Sequence, residues 1–311
     1  MIKFLLKTII YFVFLLAIFI PASKYTLRYK HKFVGNYDSA IKENSHAEVL
    51  YLASSVEAHI DKEEDTNKMG ISQMIDSLNS LDVEAISRGA NNSRLFYLFY
   101  KDFIKRNKNK NLKFLVIEIN LRSFSPEWDR NKFYNFKDIQ YYFNWKSIFE
   151  FENKSYPDYN KVEIDDITYK IKAYTQLNNE KLLKNDIAIK YLYNLDESNE
   201  TLQALKNLVE MENDKIPILF YFTPIDIEIC NATFNNFEKK HERTLSYIKR
   251  IIKNNHFIDI TYALNSSYFD YPIYGKDSQG NLKGSINEHL NEKGRFFVAD
   301  TISKYLSRLA F

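Results

Sequence analysis

The sequence predicts a three-layer α/β/α sandwich around a mostly parallel sheet, preceded by an apolar N-terminal helix. Three observations carry this expectation. Short, continuously apolar runs alternate with longer amphipathic segments along the chain, the pattern of strands buried on both faces by crossover helices. Those runs end abruptly at small or polar residues, as strands do at the functional edge of an open α/β sheet. The chain has 311 residues with 45% hydrophobic and 27% charged side chains, enough to build one large core and too apolar for wholesale disorder.

The first segment is apolar. Lys3 and Lys7 flank and enter the run Thr8 to Ala22, roughly 22 Å long as a helix, or about 28 Å if Phe4 to Leu6 are added and Lys7 snorkels. A cleaved signal peptide and an uncleaved anchor compete as readings. No small-x-small cleavage site follows, since Ile20 and Pro21 occupy the positions two before Ala22 and Ser23, so residues 1–23 are read as a membrane anchor. Lys24, Arg28, Lys30 and Lys32 nearly balance the charge before the run, so orientation is not fixed by it. Residues 24–46 are polar and basic and read as a stalk. The α/β domain is expected over 47–311.

Glu48 to Ala53 is the first expected strand, stopping at Ala53-Ser54-Ser55. Residues 68–80 carry Met69, Ile71, Met74, Ile75 and Leu78 near helical spacing. Val83 to Ser87 reads as a second strand, ending at Arg88-Gly89-Ala90-Asn91-Asn92. A helix follows with Leu95, Leu98, Phe99, Phe103 and Ile104 on one side. Phe114 to Ile119 is a third strand and ends at Asn120. Residues 121–202 form an insertion rich in Tyr, Phe, Asn and Lys, with Trp128 and Trp145, too long for a plain loop. It is expected to be a cap beside the active edge. Ile216 to Phe222 is a fourth strand, 234–253 a long helix, Phe257 to Ile260 a fifth strand. Asn291 to Leu309 closes the chain, with Phe296, Phe297, Ala299, Ile302, Tyr305 and Leu306 at helical intervals.

Composition narrows the function. A net charge of +3 gives no argument for nucleic acid. The single cysteine, Cys230, excludes an internal disulfide framework and a cysteine-ligated zinc site. His46, His59, His241 and His256 show no ligand-like spacing with Asp or Glu, so no metal and no cofactor is expected. The Asn-x-Ser/Thr sequons, as at Asn91 and Asn231, are what chance gives in so Asn-rich a chain.

The strand ends together outline a site. Acyl-transfer chemistry needs a hydroxyl nucleophile, a histidine to take its proton, and donors for the oxyanion. Ser55 is the candidate nucleophile, with helix capping by Ser54 or Ser55 the competing reading. His289, in Ile286-Asn-Glu-His-Leu-Asn291, is the candidate base. The Ser55 N–H, Gly89 and Asn120 are the candidate oxyanion donors.

These four blocks, Ser, Gly, Asn and His in that order, resemble the SGNH/GDSL hydrolase superfamily. Ala53-Ser54-Ser55 stands where that family has Gly-Asp-Ser, Gly89 for its second-block glycine, Asn120 for its third-block asparagine, and His289-Leu290-Asn291 for its final His-Leu-Asn. The resemblance covers 48–120 and 216–308 and implies a flavodoxin-like sheet. It is strongest with the membrane-anchored members of bacterial cell-envelope acylation, such as the D-alanyl transfer protein of teichoic acid synthesis. Two departures stand out. The family's aspartate three residues before the histidine is Ile286 here, with Glu288, Asp277 and Asp270 as substitutes, and Ala53-Ser54 replaces Gly-Asp. The resemblance implies a membrane-anchored serine acyl-esterase or O-acyltransferase outside the cytoplasm, acting on cell-envelope carbohydrate or a similar ester, with envelope-assembly proteins as partners. The rival expectation is a catalytically inactive relative that binds polysaccharide or scaffolds an assembly complex.

Overall fold

The structure is a computed structural model. It describes residues 2–57, 65–130, 137–143, 184, 187–211, 216–270 and 289–309. Five parallel strands form one sheet in the order β2-β1-β3-β4-β5: β1 Val49–Ala53, β2 Val83–Ser87, β3 Phe114–Ile119, β4 Ile218–Phe222 and β5 His256–Asp259. The order reverses direction between β1 and β3, and loops leaving neighbouring strands on either side of that point diverge and open a crevice. Leu52 pairs with Ile117 and Ala53 with Ser87, which brings the carboxyl ends of β1, β2 and β3 level.

Alternating side chains of these strands feed two cores. One face carries Leu50, Leu52, Leu115, Ile117, Ile119, Phe220 and Phe222. Four helices cover it: α2 (Lys32–Ala40), α4 (Ser93–Arg106), α7 (Glu200–Glu210) and α9 (Phe237–Ile252). The other carries Val49, Tyr51, Ala53, Val116, Leu219 and Tyr221, covered by α3 (Ile71–Asn79) and α10 (Glu292–Leu309). Period-two alternation with apolar residues at both phases is why β1, β3 and β4 read as unbroken apolar runs.

Element boundaries depart from the sequence reading where single residues dictate it. Pro217 has no N–H to give to the ladder, so β4 begins at Ile218 and Pro217 contributes only its carbonyl, which accepts from the Leu115 N–H at 3.1 Å. The helix expected from 234 starts at Phe237, because Asn236 sits in the left-handed region (φ 58°); a separate short helix, α8 (Ile227–Thr233), precedes it. Within the 121–202 segment, α5 (Pro126–Arg130) and α6 (Lys137–Phe143) lie in the described part.

The N-terminal helix α1 spans Ile2–Lys30, is long and apolar enough to cross a membrane, and buries none of its residues. The expected stalk at 24–46 is corrected. Helix α1 runs on to Lys30, and after His31 alone α2 begins, with Phe33, Val34, Tyr37 and Ala40 inside the first core. The Tyr37 hydroxyl donates to the Phe99 carbonyl at 2.9 Å and to Asp102 at 3.0 Å, and Arg106 pairs with Asp38 at 2.7 Å. The basic composition concealed this because the apolar residues of α2 are few and concentrated on one face. On its other side, the Ser23 hydroxyl of α1 lies 2.6 Å from the Tyr141 hydroxyl of α6.

Candidate active site

Strand β1 ends at Ala53, and residues 55–57 form a turn. No helix begins there, so neither Ser54 nor Ser55 is a cap among the described residues. The turn is held at both ends by buried carboxyl groups. Glu118 of β3 accepts from the Ser54 N–H at 3.0 Å and from the Ser54 hydroxyl. At the far end the Glu57 carboxyl accepts from the Ser72 N–H at 3.0 and 3.1 Å and from the Ser72 hydroxyl, while the Glu57 carbonyl accepts from the Ile71 N–H at 3.1 Å. Gly70 makes this approach feasible. A Cβ there would meet the Glu57 carbonyl oxygen at 2.9 Å. Burial pushes the Glu57 carboxyl up to about 8, against the hydrogen bonds from Ser72.

His289 is delivered by a second rigid piece. Phe269 and Leu290 form an antiparallel bridge, with the Asp270 N–H donating to the His289 carbonyl at 3.0 Å and the Asn291 N–H to the Tyr268 carbonyl at 3.1 Å. Leu290 and Phe269 are buried in the second core, and the bridge sets Asp270 opposite His289 in backbone register. The Asn291 side chain accepts from the Gly294 N–H at 3.1 Å and opens α10. One turn into α10, the fully buried Arg295 donates to the carbonyls of Leu290 (3.0 Å), Met69 (3.1 Å) and Asn67 (3.0 Å) and pairs with Asp65 at 2.9 Å. A buried guanidinium is tolerated because its donors are met and its charge is matched. It joins the histidine strand to the loop before α3.

These two pieces meet. The His289 Nε2 lies 3.1 Å from the Ser55 Oγ across 234 residues of chain. For the serine to donate along this line, the imidazole proton sits on Nδ1. The oxyanion candidates lie at the same edge. Gly89 follows β2, and a Cβ placed on it would meet nothing within 4 Å, so its backbone faces open space. Its loop is fastened by Asn91, whose buried amide donates to the Ala53 carbonyl at 2.9 Å. Asn120 follows β3. Its Oδ1 accepts from the Arg122 N–H at 3.0 Å, which directs the Nδ2 end of the amide the other way.

Ser55, His289, Gly89 and Asn120 are therefore brought to one edge. Glu288, with Ile286 and Asp277, lies outside the described residues. His241 stands apart: it is buried in a satellite cluster, its Nδ1 is 2.8 Å from the Tyr262 hydroxyl, and burial pushes it down to about 4. Sequence reasoning missed Glu118, Asn91, Asp65 and Arg295. Glu118 left a signal, a lone acid inside the apolar run Phe114 to Ile119; Arg295 and Asp65 left none, because their pairing spans 230 residues.

No family model and no curated protein sequence matches the chain. Among solved structures, it is similar to a lipase/acylhydrolase from Enterococcus faecalis, with 9% identity over 83% of this chain and 94% of that one and a TM-score of 0.40. It is similar to an acetyl xylan esterase from Geobacillus stearothermophilus, at 13% identity, 81% and 90% coverage and a TM-score of 0.36. A carbohydrate acetylesterase from Sinorhizobium meliloti gives 7% identity, 85% and 99% coverage and a TM-score of 0.36. Likeness this remote assigns no chemistry to the chain.

Proposed function

We propose that this chain is a membrane-anchored serine acyl-esterase or O-acyltransferase of the SGNH type. The observation that carries the reading is the 3.1 Å approach of His289 Nε2 to Ser55 Oγ at the carboxyl edge of the sheet. In this reading Ser55 Oγ attacks an ester carbonyl carbon as its proton passes to His289 Nε2. The carbonyl oxygen becomes an oxyanion held by the Ser55 N–H, the Gly89 N–H and the Asn120 amide. Collapse expels the alcohol, which takes the proton from His289 and leaves an acyl group on Ser55. Water or a sugar hydroxyl, deprotonated by the same imidazole, then releases the acyl group. Hydrolysis and transfer differ only in which acceptor reaches the acyl-enzyme.

The carboxylate assigned to orient His289 is Asp270. Its backbone N–H donates to the His289 carbonyl at 3.0 Å, a pairing the sequence gap between 270 and 289 hides, and this register is what supports the assignment. The helix α1 supports anchoring by its length and apolarity. The acyl substrate is assigned to the cell envelope through the sequence resemblance to membrane-anchored acylation proteins.

A fluorophosphonate probe tests the reading. The wild-type chain is expected to be labelled at Ser55, and Ser55→Ala to lose all labelling. An unlabelled wild type, or equal labelling of Ser55→Ala, would leave the non-catalytic binding or scaffold reading in its place.

A further inference from the structure

We propose that Glu118 is a positioning residue for the nucleophile, fastening the turn that carries Ser55 to the strand that carries Asn120. This rests on the serine-nucleophile reading above.

Glu118 is 2% exposed and lies in the middle of the sheet, where a carboxylate is expensive unless fully bonded. Its partners explain its presence. Ser54 gives it both a backbone N–H and a hydroxyl. Tyr221 of β4 donates to the same Oε2 at 3.2 Å, and the Tyr51 hydroxyl of β1 stands 2.5 Å from the Tyr221 hydroxyl. Tyr51, Tyr221 and Glu118 project from one face of three adjacent strands, as the sheet's period of two requires. Tyr221 spends its proton on Glu118, so Tyr51 donates to Tyr221, and the chain of donors converges on the carboxylate. Three donors on two oxygens suit the ionised, acceptor-only form.

The consequence is geometric. Ser54 immediately precedes Ser55, so bonding both its N–H and its hydroxyl to one rigid group fixes the peptide plane from which Ser55 departs. The group doing this sits two residues before Asn120 on β3. One carboxylate thus sets the nucleophile and the oxyanion amide relative to each other. Misplacing a reacting atom by about 1 Å lowers rates on the order of a hundredfold. Glu118 acts through Ser54, whose N–H and hydroxyl it holds.

The test is the kinetics of fluorophosphonate labelling of the full-length chain, with folding followed by circular dichroism. Glu118→Gln keeps the shape and removes the charge. The expected result is a folded variant labelled at Ser55 with a maximal rate lowered about ten- to a hundredfold and an unchanged half-saturating probe concentration. Ser54→Ala should lower the rate severalfold in the wild type and by a clearly smaller factor in Glu118→Gln, because both changes weaken the same link. A folded Glu118→Gln labelled at the wild-type rate overturns the proposal, as do losses from the two changes that simply multiply. If Glu118→Gln does not fold, Ser54→Ala and Tyr221→Phe decide: slower labelling of both in folded protein supports the role, and wild-type rates overturn it. An unlabelled wild type would fail the serine reading itself, a result distinct from all of these.

Discussion

At the scale of single residues, the candidate site brings a serine to a histidine, on a turn held by two buried acids. Asp270 is expected to hold His289 in the tautomer that accepts from Ser55. Asp270→Asn should therefore slow fluorophosphonate labelling about a hundred- to ten-thousandfold while leaving the thermal midpoint nearly unchanged, as loss of the orienting acid does in serine triads. Glu57 makes a different prediction. Burial raises its folded value from 4.5 to about 8. Between these values the folded protein keeps a proton that the unfolded chain has released. Its stability contribution is present below the unfolded value and is lost as pH rises through the folded one. Urea unfolding at a series of pH values from 5 to 9 should show wild type losing stability relative to Glu57→Gln across that window. A constant difference would show that Glu57 titrates alike in both states.

At the scale of elements, the strands were legible in the sequence and the contacts between distant elements were not. Strand β3 falls where its apolar run places it, because a strand buried on both faces writes nearly its whole length in hydrophobic side chains; β2, Val-Glu-Ala-Ile-Ser at the sheet edge, is mostly half-buried and leaves a weaker signal. Ser55, Gly89 and Asn120 followed from this, since each lies just past the carboxyl end of a strand. The partner of His289 did not follow. Asp270, the carboxylate proposed for that role, meets His289 in backbone register through an antiparallel bridge between two irregular segments, and no local pattern marks such a pairing. Helix α2 was missed for the opposite reason: Lys32, Asn36 and Ser39 dominate its composition, while Phe33, Val34, Tyr37 and Ala40 do the packing. The start of α10 shows how tightly these elements are fitted. A Cβ on Gly294 would meet the Tyr268 carbonyl oxygen at 2.3 Å and Leu290 at 3.0 Å. Gly294→Ala must push apart the bridge that carries His289. It should cost about 1–3 kcal/mol in chemical denaturation and slow labelling as well, because the strained contact and the histidine share one ladder.

At the scale of the whole molecule, the chain is a long apolar helix set directly on an α/β domain. The boundary between them lies earlier than composition implies. Removing residues 1–23 should leave a folded domain that still labels at Ser55. Removing residues 1–40 should abolish cooperative unfolding, because it strips Phe33, Val34, Tyr37 and Ala40 from the first core and breaks the Tyr37 to Phe99 bond. Expression of the two truncations, followed by thermal melts and labelling, separates these outcomes; equal folding of both would make α2 dispensable.

The single residue between α1 and α2 also sets how far the edge carrying Ser55 can travel. A flexible tether of 23 residues, the length of 24–46, would let a domain wander on the order of 25 Å from its point of attachment. His31 alone, with Arg28 held 3.9 Å from Asp38 across the joint and Ser23 bonded to α6, leaves almost no leash. Anchored through α1, such a domain would work at one fixed height above the bilayer. Its substrates would have to be carried to that height, by lipid attachment or by a carrier docked at the same level, and lateral diffusion within the membrane would set how often they met the site.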